Sequence, residues 1–213
     1  MSTPEMLSFS TVIIFFSAAV LLALAPGPDN IFVLTQAALR GKAAGIYVTL
    51  GLCTGLIVHT SAVALGVAAI FQASITAFTL LKIIGAAYLL YLAWQAFRAD
   101  AASLASGTGQ ELTPGRLYRR GIIMNVTNPK VSIFFLAFLP QFTDPARGSL
   151  VIQMILLGLL FILATILIFG GISLLAGALG QWLGNSPRAQ IIMNRIAGTI
   201  YTTLALRLAV ASR

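Results

Sequence analysis

Six stretches of this chain run apolar, with scarcely a charge, for about the 20 residues that a helix needs to cross roughly 30 Å of hydrocarbon. They fall near residues 9–37, 44–70, 74–97, 120–141, 149–179 and 191–211. A soluble domain of 213 residues has nowhere to hide so much apolar surface: 59% of the residues are hydrophobic and 8% are charged, against about 25% charged in soluble chains. The expected fold class is therefore an all-α membrane protein of six transmembrane helices in a single domain spanning 1–213. The first stretch could be taken for a signal peptide. It is preceded by Glu5 and by no Lys or Arg, and Pro26 would follow an Ala23-Leu24-Ala25 cut, so it reads as a retained helix. The net charge of +8 would suggest nucleic acid in a soluble protein. Here the basic residues lie between apolar segments, where membrane orientation accounts for them, so no nucleic-acid partner is expected. With Cys53 the only cysteine, an internal disulfide, a CxxC redox pair and a cysteine metal cluster are all excluded.

Lys and Arg collect on one side. The first, third and fifth loops with their flanks hold Arg40, Lys42, Arg98, Arg116, Arg119, Arg120, Arg188 and Arg195, against Arg147, Arg207 and Arg213 on the other. The bias places those three loops in the cytoplasm and both termini outside. Residues 98–120, with "SLASGTGQELTPGR", read as the longest loop.

Two of the apolar stretches are broken. The first contains "ALAPGPDNIFVL" from Ala23 to Leu34, with Pro26, Gly27, Pro28, Asp29 and Asn30; the fourth contains "MNVTNPKVSIFF", with Asn125, Asn128, Pro129 and Lys130. A proline inside a helix removes a backbone hydrogen bond and clashes with the preceding turn. In lipid the freed carbonyls must find partners within the protein or along a wet cavity. One such break reads equally as a plain kink with Asp29 near the cytoplasmic interface. Two, in the first and fourth of six spans, occupy corresponding places in two three-helix halves, 1–97 and 115–213. Because three is odd, the halves would lie in the membrane with opposite orientations. Inverted repeats with helices interrupted in matching positions point to a secondary transporter whose substrate binds where the half-helix ends meet.

The charges within the spans need explaining, because a charge at membrane depth is costly and is usually paired or functional. Asp29 and Lys130, each beside a break, are expected to pair or to face opposite ends of a substrate. His59, the sole histidine, is either a neutral ring bonded to a backbone carbonyl or a proton carrier. Lys82 either snorkels toward the outer interface or touches substrate. Gly51, Gly55 and Gly85 read as close-packing positions. No HExxH, GxSxG or carboxylate–histidine cluster is present, so an enzyme is not expected. Neither a cofactor nor a metal is called for.

The stretches "APGPDN", "GLCTGLIVHT", "LLKIIGAAYLLYLAWQAFR" and "NVTNPKVSIFFLAFLPQF" together resemble the lysine-exporter/homoserine-threonine-exporter (LysE/RhtB) family of bacterial amino-acid efflux proteins. The likeness runs over nearly the whole chain and is weakest in the last two spans. It implies export of amino acids or close derivatives across the bacterial inner membrane, driven by the proton motive force. It also implies that Pro26, Gly27, Pro28, Asp29, Gly55, His59, Lys82, Gly85, Tyr88, Asn128, Pro129 and Lys130 stand at the family's motif positions. The scarcity of acids in the spans argues against divalent metals as cargo and favours small neutral amino acids such as threonine, homoserine or branched-chain residues. A channel remains the alternative reading, and the glycine-rich faces are compatible with a homodimer.

Overall fold

A computed structural model of the chain describes residues 6–67, 75–99, 112–184 and 186–210. Most of the expected 98–120 loop, including Ser103 to Gln110, lies outside these, as do the expected end of the second span, the first residue of the third and Arg213. The described residues are helical, without strands. α1 (Phe9–Leu24) begins where the Ser8 hydroxyl accepts from the Thr11 N–H, an N-cap that satisfies one of the helix's free donors. α2 (Pro28–Arg40) follows after three residues, and the pair is bent by 61°. Gly41, at φ +83°, turns the chain into α3 (Lys42–Ala62), which runs on into a wider π turn, Val63–Val67. α4 (Ile75–Arg98) comes next.

α5 (Pro114–Val126) and α6 (Pro129–Ile133) form the second bent pair, at 49°. α6 continues through a π turn, Phe134–Phe138, and a 3₁₀ turn, Leu139–Phe142. After a short 3₁₀ turn at Pro145–Arg147 come α7 (Leu150–Gly184) and α8 (Pro187–Val210). Both α5 and α8 start several residues before the apolar stretch that announced them. Pro114 and Pro187, whose missing N–H costs nothing at a helix start, set the beginnings instead.

Among the described residues, α3, α4, α7 and the two bent pairs are each long and apolar enough to cross a membrane, which makes up to five candidate spans. α8 has the length but falls short in apolarity, because Asn194, Arg195, Thr199, Thr202, Thr203 and Arg207 dilute it. It packs along α4 and also meets α1. α7 touches α1, α2 and α3, while α3 crosses α5. At that crossing the two backbones are in contact: a Cβ on Gly51 would strike the Tyr118 carbonyl, and one on Gly121 the Val48 carbonyl. Gly85 on α4 likewise lets the Ala137 methyl reach the helix. The main core is aromatic, with Phe15, Phe134, Phe135 and Phe138 fully buried. Outward faces carry exposed Ile83, Ile84, Leu159 and Leu167, as expected of helices whose outer solvent is lipid.

Candidate functional site

Ala25 precedes a proline and is held extended, at φ −61° and ψ 120°, so α1 stops there. Pro28 then opens α2 with Gly27 as its extended N-cap. Four of the carbonyls at this break are engaged by side chains. Those of Leu22 and Ala25 each accept from Lys130 Nζ at 3.1 Å, and that of Ala23 accepts from Asn30 Nδ2 at 2.6 Å. The Tyr201 hydroxyl reaches the Pro26 carbonyl from α8 at 3.4 Å. A Cβ on Gly27 would lie 3.3 Å from Lys130 Nζ, so a larger residue here would crowd the ammonium.

The second break is served in the same manner. Asn128 caps α6, its Oδ1 accepting from the Lys130 N–H at 3.0 Å. Its Nδ2 donates to Asp29 Oδ2 at 2.9 Å. The Asn125 carbonyl accepts from the Asn128 N–H at 3.0 Å and from His59 Nε2 at 3.1 Å; a carbonyl only accepts, so Nε2 is the donor. The two breaks thus cross and serve one another. Lys130 neutralises the electron-rich end of α1, while Asp29 stands at the electron-poor start of α2 and is tied to the cap of α6. Both charges are buried, at 3% exposure for Asp29 and 7% for Lys130, which removes the reading of Asp29 as an interfacial residue in water. They are joined through Asn128 rather than by direct contact.

Sequence reasoning brought Pro26, Gly27, Pro28, Asp29, Asn30, Asn125, Asn128, Pro129, Lys130 and His59 to one place, and the structure sets them around this crossing. Gly55 also belongs to it, since a Cβ there would press on the Asn125 amide. Lys82, part-buried on α4, does not line the cavity at the crossing. That cavity measures about 20 Å³ and is lined by Leu22, Ala23, Asp29, Asn125, Lys130, Val131, Phe161, Thr165 and Phe169. A larger cleft of about 560 Å³ opens between the start of α1, the Gln141–Arg147 turn and Arg207. A column of rings links the two. Phe161, which lines the cavity, touches Phe134 (5.3 Å between centroids); Phe134 touches Phe138 (4.7 Å), and Phe138 touches Phe142 (5.1 Å) at the cleft. Tyr201, Thr165, Gly121 and this column escaped the sequence reading. Only the Phe-Phe pair at 134–135, beside the second break, hinted at any of them.

The family model described as "LysE type translocator" matches residues 20–212. An uncharacterized membrane protein of Vibrio cholerae is 34% identical over 197 residues, covering 92% of this chain and 95% of the relative. The homoserine/homoserine lactone efflux protein of Salmonella typhimurium is 32% identical over the same shares. The leucine efflux protein of Salmonella choleraesuis is 27% identical over 202 residues, 92% of each chain. No solved structure matches the chain. With a match from the first break to the end of the last helix, the chain belongs to the LysE type translocator family.

Proposed function

We propose that the chain exports amino acids or close derivatives, chiefly small neutral ones such as threonine, homoserine or branched-chain residues, out of the bacterial cytoplasm, and that an inward proton flow drives it. The observation that carries this reading is the crossing of two helix breaks with one buried carboxylate and one buried ammonium at their junction. An α-amino acid presents the complementary pair of charges. Open helix ends supply further N–H groups and carbonyls to receive them. At about 2.3 kcal/mol per charge across 100 mV and about 1.4 kcal/mol per tenfold gradient, one proton sustains an outward gradient of roughly fiftyfold for a zwitterion.

The same reading takes the chain as six spans in two inverted halves, with α8 as the sixth span and both termini periplasmic. The packing supports it. Exchanging the halves maps the contact of α3 with α5 onto that of α7 with α1 and α2, and leaves α3 with α7 and α4 with α8 unchanged. Two halves of opposite orientation around one site can rock against each other, with Asp29 and Asn128 as the link across them. The aromatic column would stand between the site and the outer cleft and must part for release.

Countertransport tests this directly. In proteoliposomes loaded with unlabelled amino acid, labelled homoserine, threonine or leucine should accumulate transiently above its equilibrium level. Flux that only runs down its gradient would mean a channel, and no exchange across a panel of the common amino acids would end the proposal.

A further inference from the structure

Four serine and threonine side chains are buried in the described spans: Thr49, Thr60, Thr165 and Ser173. Three fold back on their own helix. Thr49 donates to the Gly45 carbonyl at 2.9 Å, Thr60 to Leu56 at 2.8 Å and Ser173 to Phe169 at 2.7 Å. This is the ordinary resting place for a hydroxyl in a helix with no water near it. Thr165 departs from it. It is 1% exposed, and its Oγ1 has no hydrogen-bond partner. Two further buried oxygens without a partner, Asp29 Oδ1 and Asn125 Oδ1, belong to residues of the same small cavity. Buried polar atoms left so are uncommon and call for an explanation, such as a ligand not present.

The cavity selects the group that could fill it. At about 20 Å³ it exceeds the roughly 10–15 Å³ needed for one water-sized group and no more. A carboxylate oxygen accepts only, and a hydroxyl accepts readily, so the complementary group is a donor that carries positive charge. Lys130, which also lines the cavity, gives two of its three ammonium donors to the Leu22 and Ala25 carbonyls and bonds neither of these oxygens. Leu22, Val131, Phe161 and Phe169 make the remaining wall apolar, which strengthens any charge-assisted bond formed inside.

We propose that Asp29 Oδ1 and Thr165 Oγ1 seat the ammonium group of the transported solute, and that Thr165 is a specificity-determining residue for an unsubstituted primary ammonium. This deepens the reading given above and rests on it. The seat refuses N-blocked solutes by size and 2-hydroxy acids by charge, since the latter bring no cation to Asp29. It also gives the fifth span, otherwise almost featureless in sequence, a part in recognition.

The test uses wild type, Thr165→Val, Thr165→Ala and Thr165→Ser in proteoliposomes, with countertransport of labelled L-homoserine and L-leucine. The N-methyl and 2-hydroxy analogues of each serve as competitors, and folded protein is quantified for every variant. For whichever of the two substrates the wild type carries, Thr165→Val should raise KM about tenfold, the worth of one hydrogen bond to a charged group. It should also narrow the preference over the N-methyl analogue, and Thr165→Ser should restore both. Thr165→Ala serves in its place should the valine variant not fold. Unchanged KM and preference in Thr165→Val, with an active wild type, overturn the seat and leave the exporter standing. An equal loss of transport with preference intact also overturns it, and marks Thr165 as holding only a structural water. A wild type that exchanges neither substrate nor any other amino acid overturns both.

Discussion

Lys130 illustrates what a single residue must do when helices stop inside a membrane. Its ammonium holds two carbonyls at the end of α1. Lys130→Met should therefore leave two buried acceptors unsatisfied, each worth about 1–3 kcal/mol. The expected outcome is a marked drop in melting temperature in detergent as well as lost transport. His59 makes one bond of the same kind, to the Asn125 carbonyl. His59→Gln, whose amide can donate there, should keep most of the stability and most of the transport, whereas His59→Leu should lose both. A folded but inactive His59→Gln protein would show instead that the imidazole carries protons. At this scale the sequence was a partial guide. That Asp29 and Lys130 each serve a helix break was legible, because charges at membrane depth are rarely idle. Their linkage through Asn128, rather than face to face, was not, since it depends on how two helix ends cross. Thr165 was invisible, because a threonine in an apolar helix ordinarily bonds its own backbone.

The breaks are the elements that sequence announced best. Proline has no N–H to give, and two such sites in apolar stretches mark irregular backbone wherever the helices pack. What lay beyond reach was the partner of each break and the wide π turn that follows the second one. That turn, Phe134–Phe138, puts Phe134 and Phe138 into the column between the small cavity and the larger cleft. π turns inside helices are frequent at functional positions. Phe138→Ala should open this column: countertransport should persist, while passive leak of amino acid rises several-fold over wild type. A tight, fully coupled Phe138→Ala protein would relieve the column of any gating part. The crossing of α3 on α5 makes the opposite demand. Gly51→Val drives a side chain into the Tyr118 carbonyl, an overpacking of about 1–3 kcal/mol or more, and should sharply lower the yield of folded protein. Gly51 was readable as a packing position because small residues let backbones touch. Its partner Gly121 was missed because it sits in a polar-looking stretch of arginines.

Over the whole molecule, the all-helical architecture followed from apolar stretch lengths, and the structure keeps their order with boundaries shifted by a few residues. The sixth stretch is the weak one. α8 is long enough to span but carries three arginines and three threonines, and it lies packed along α4. Topology is the corresponding prediction: a periplasm-dependent reporter after Arg213 should be active, and a cytoplasm-dependent one within Ser103–Gln110 should be active too. The reverse pattern would remove the inverted halves. On the proposed function, the crossing of the two breaks is where solute and proton are exchanged. The most direct test is amino-acid efflux from proteoliposomes under an imposed pH gradient, with proton movement followed by an internal pH dye, for wild type and Asp29→Asn. Wild type should move amino acid uphill with a matching proton flow, and Asp29→Asn, folded in comparable amount, should lose both together by at least tenfold. Full, proton-coupled efflux by Asp29→Asn would contradict that reading and reduce the break at Pro26 to Pro28 to a structural kink.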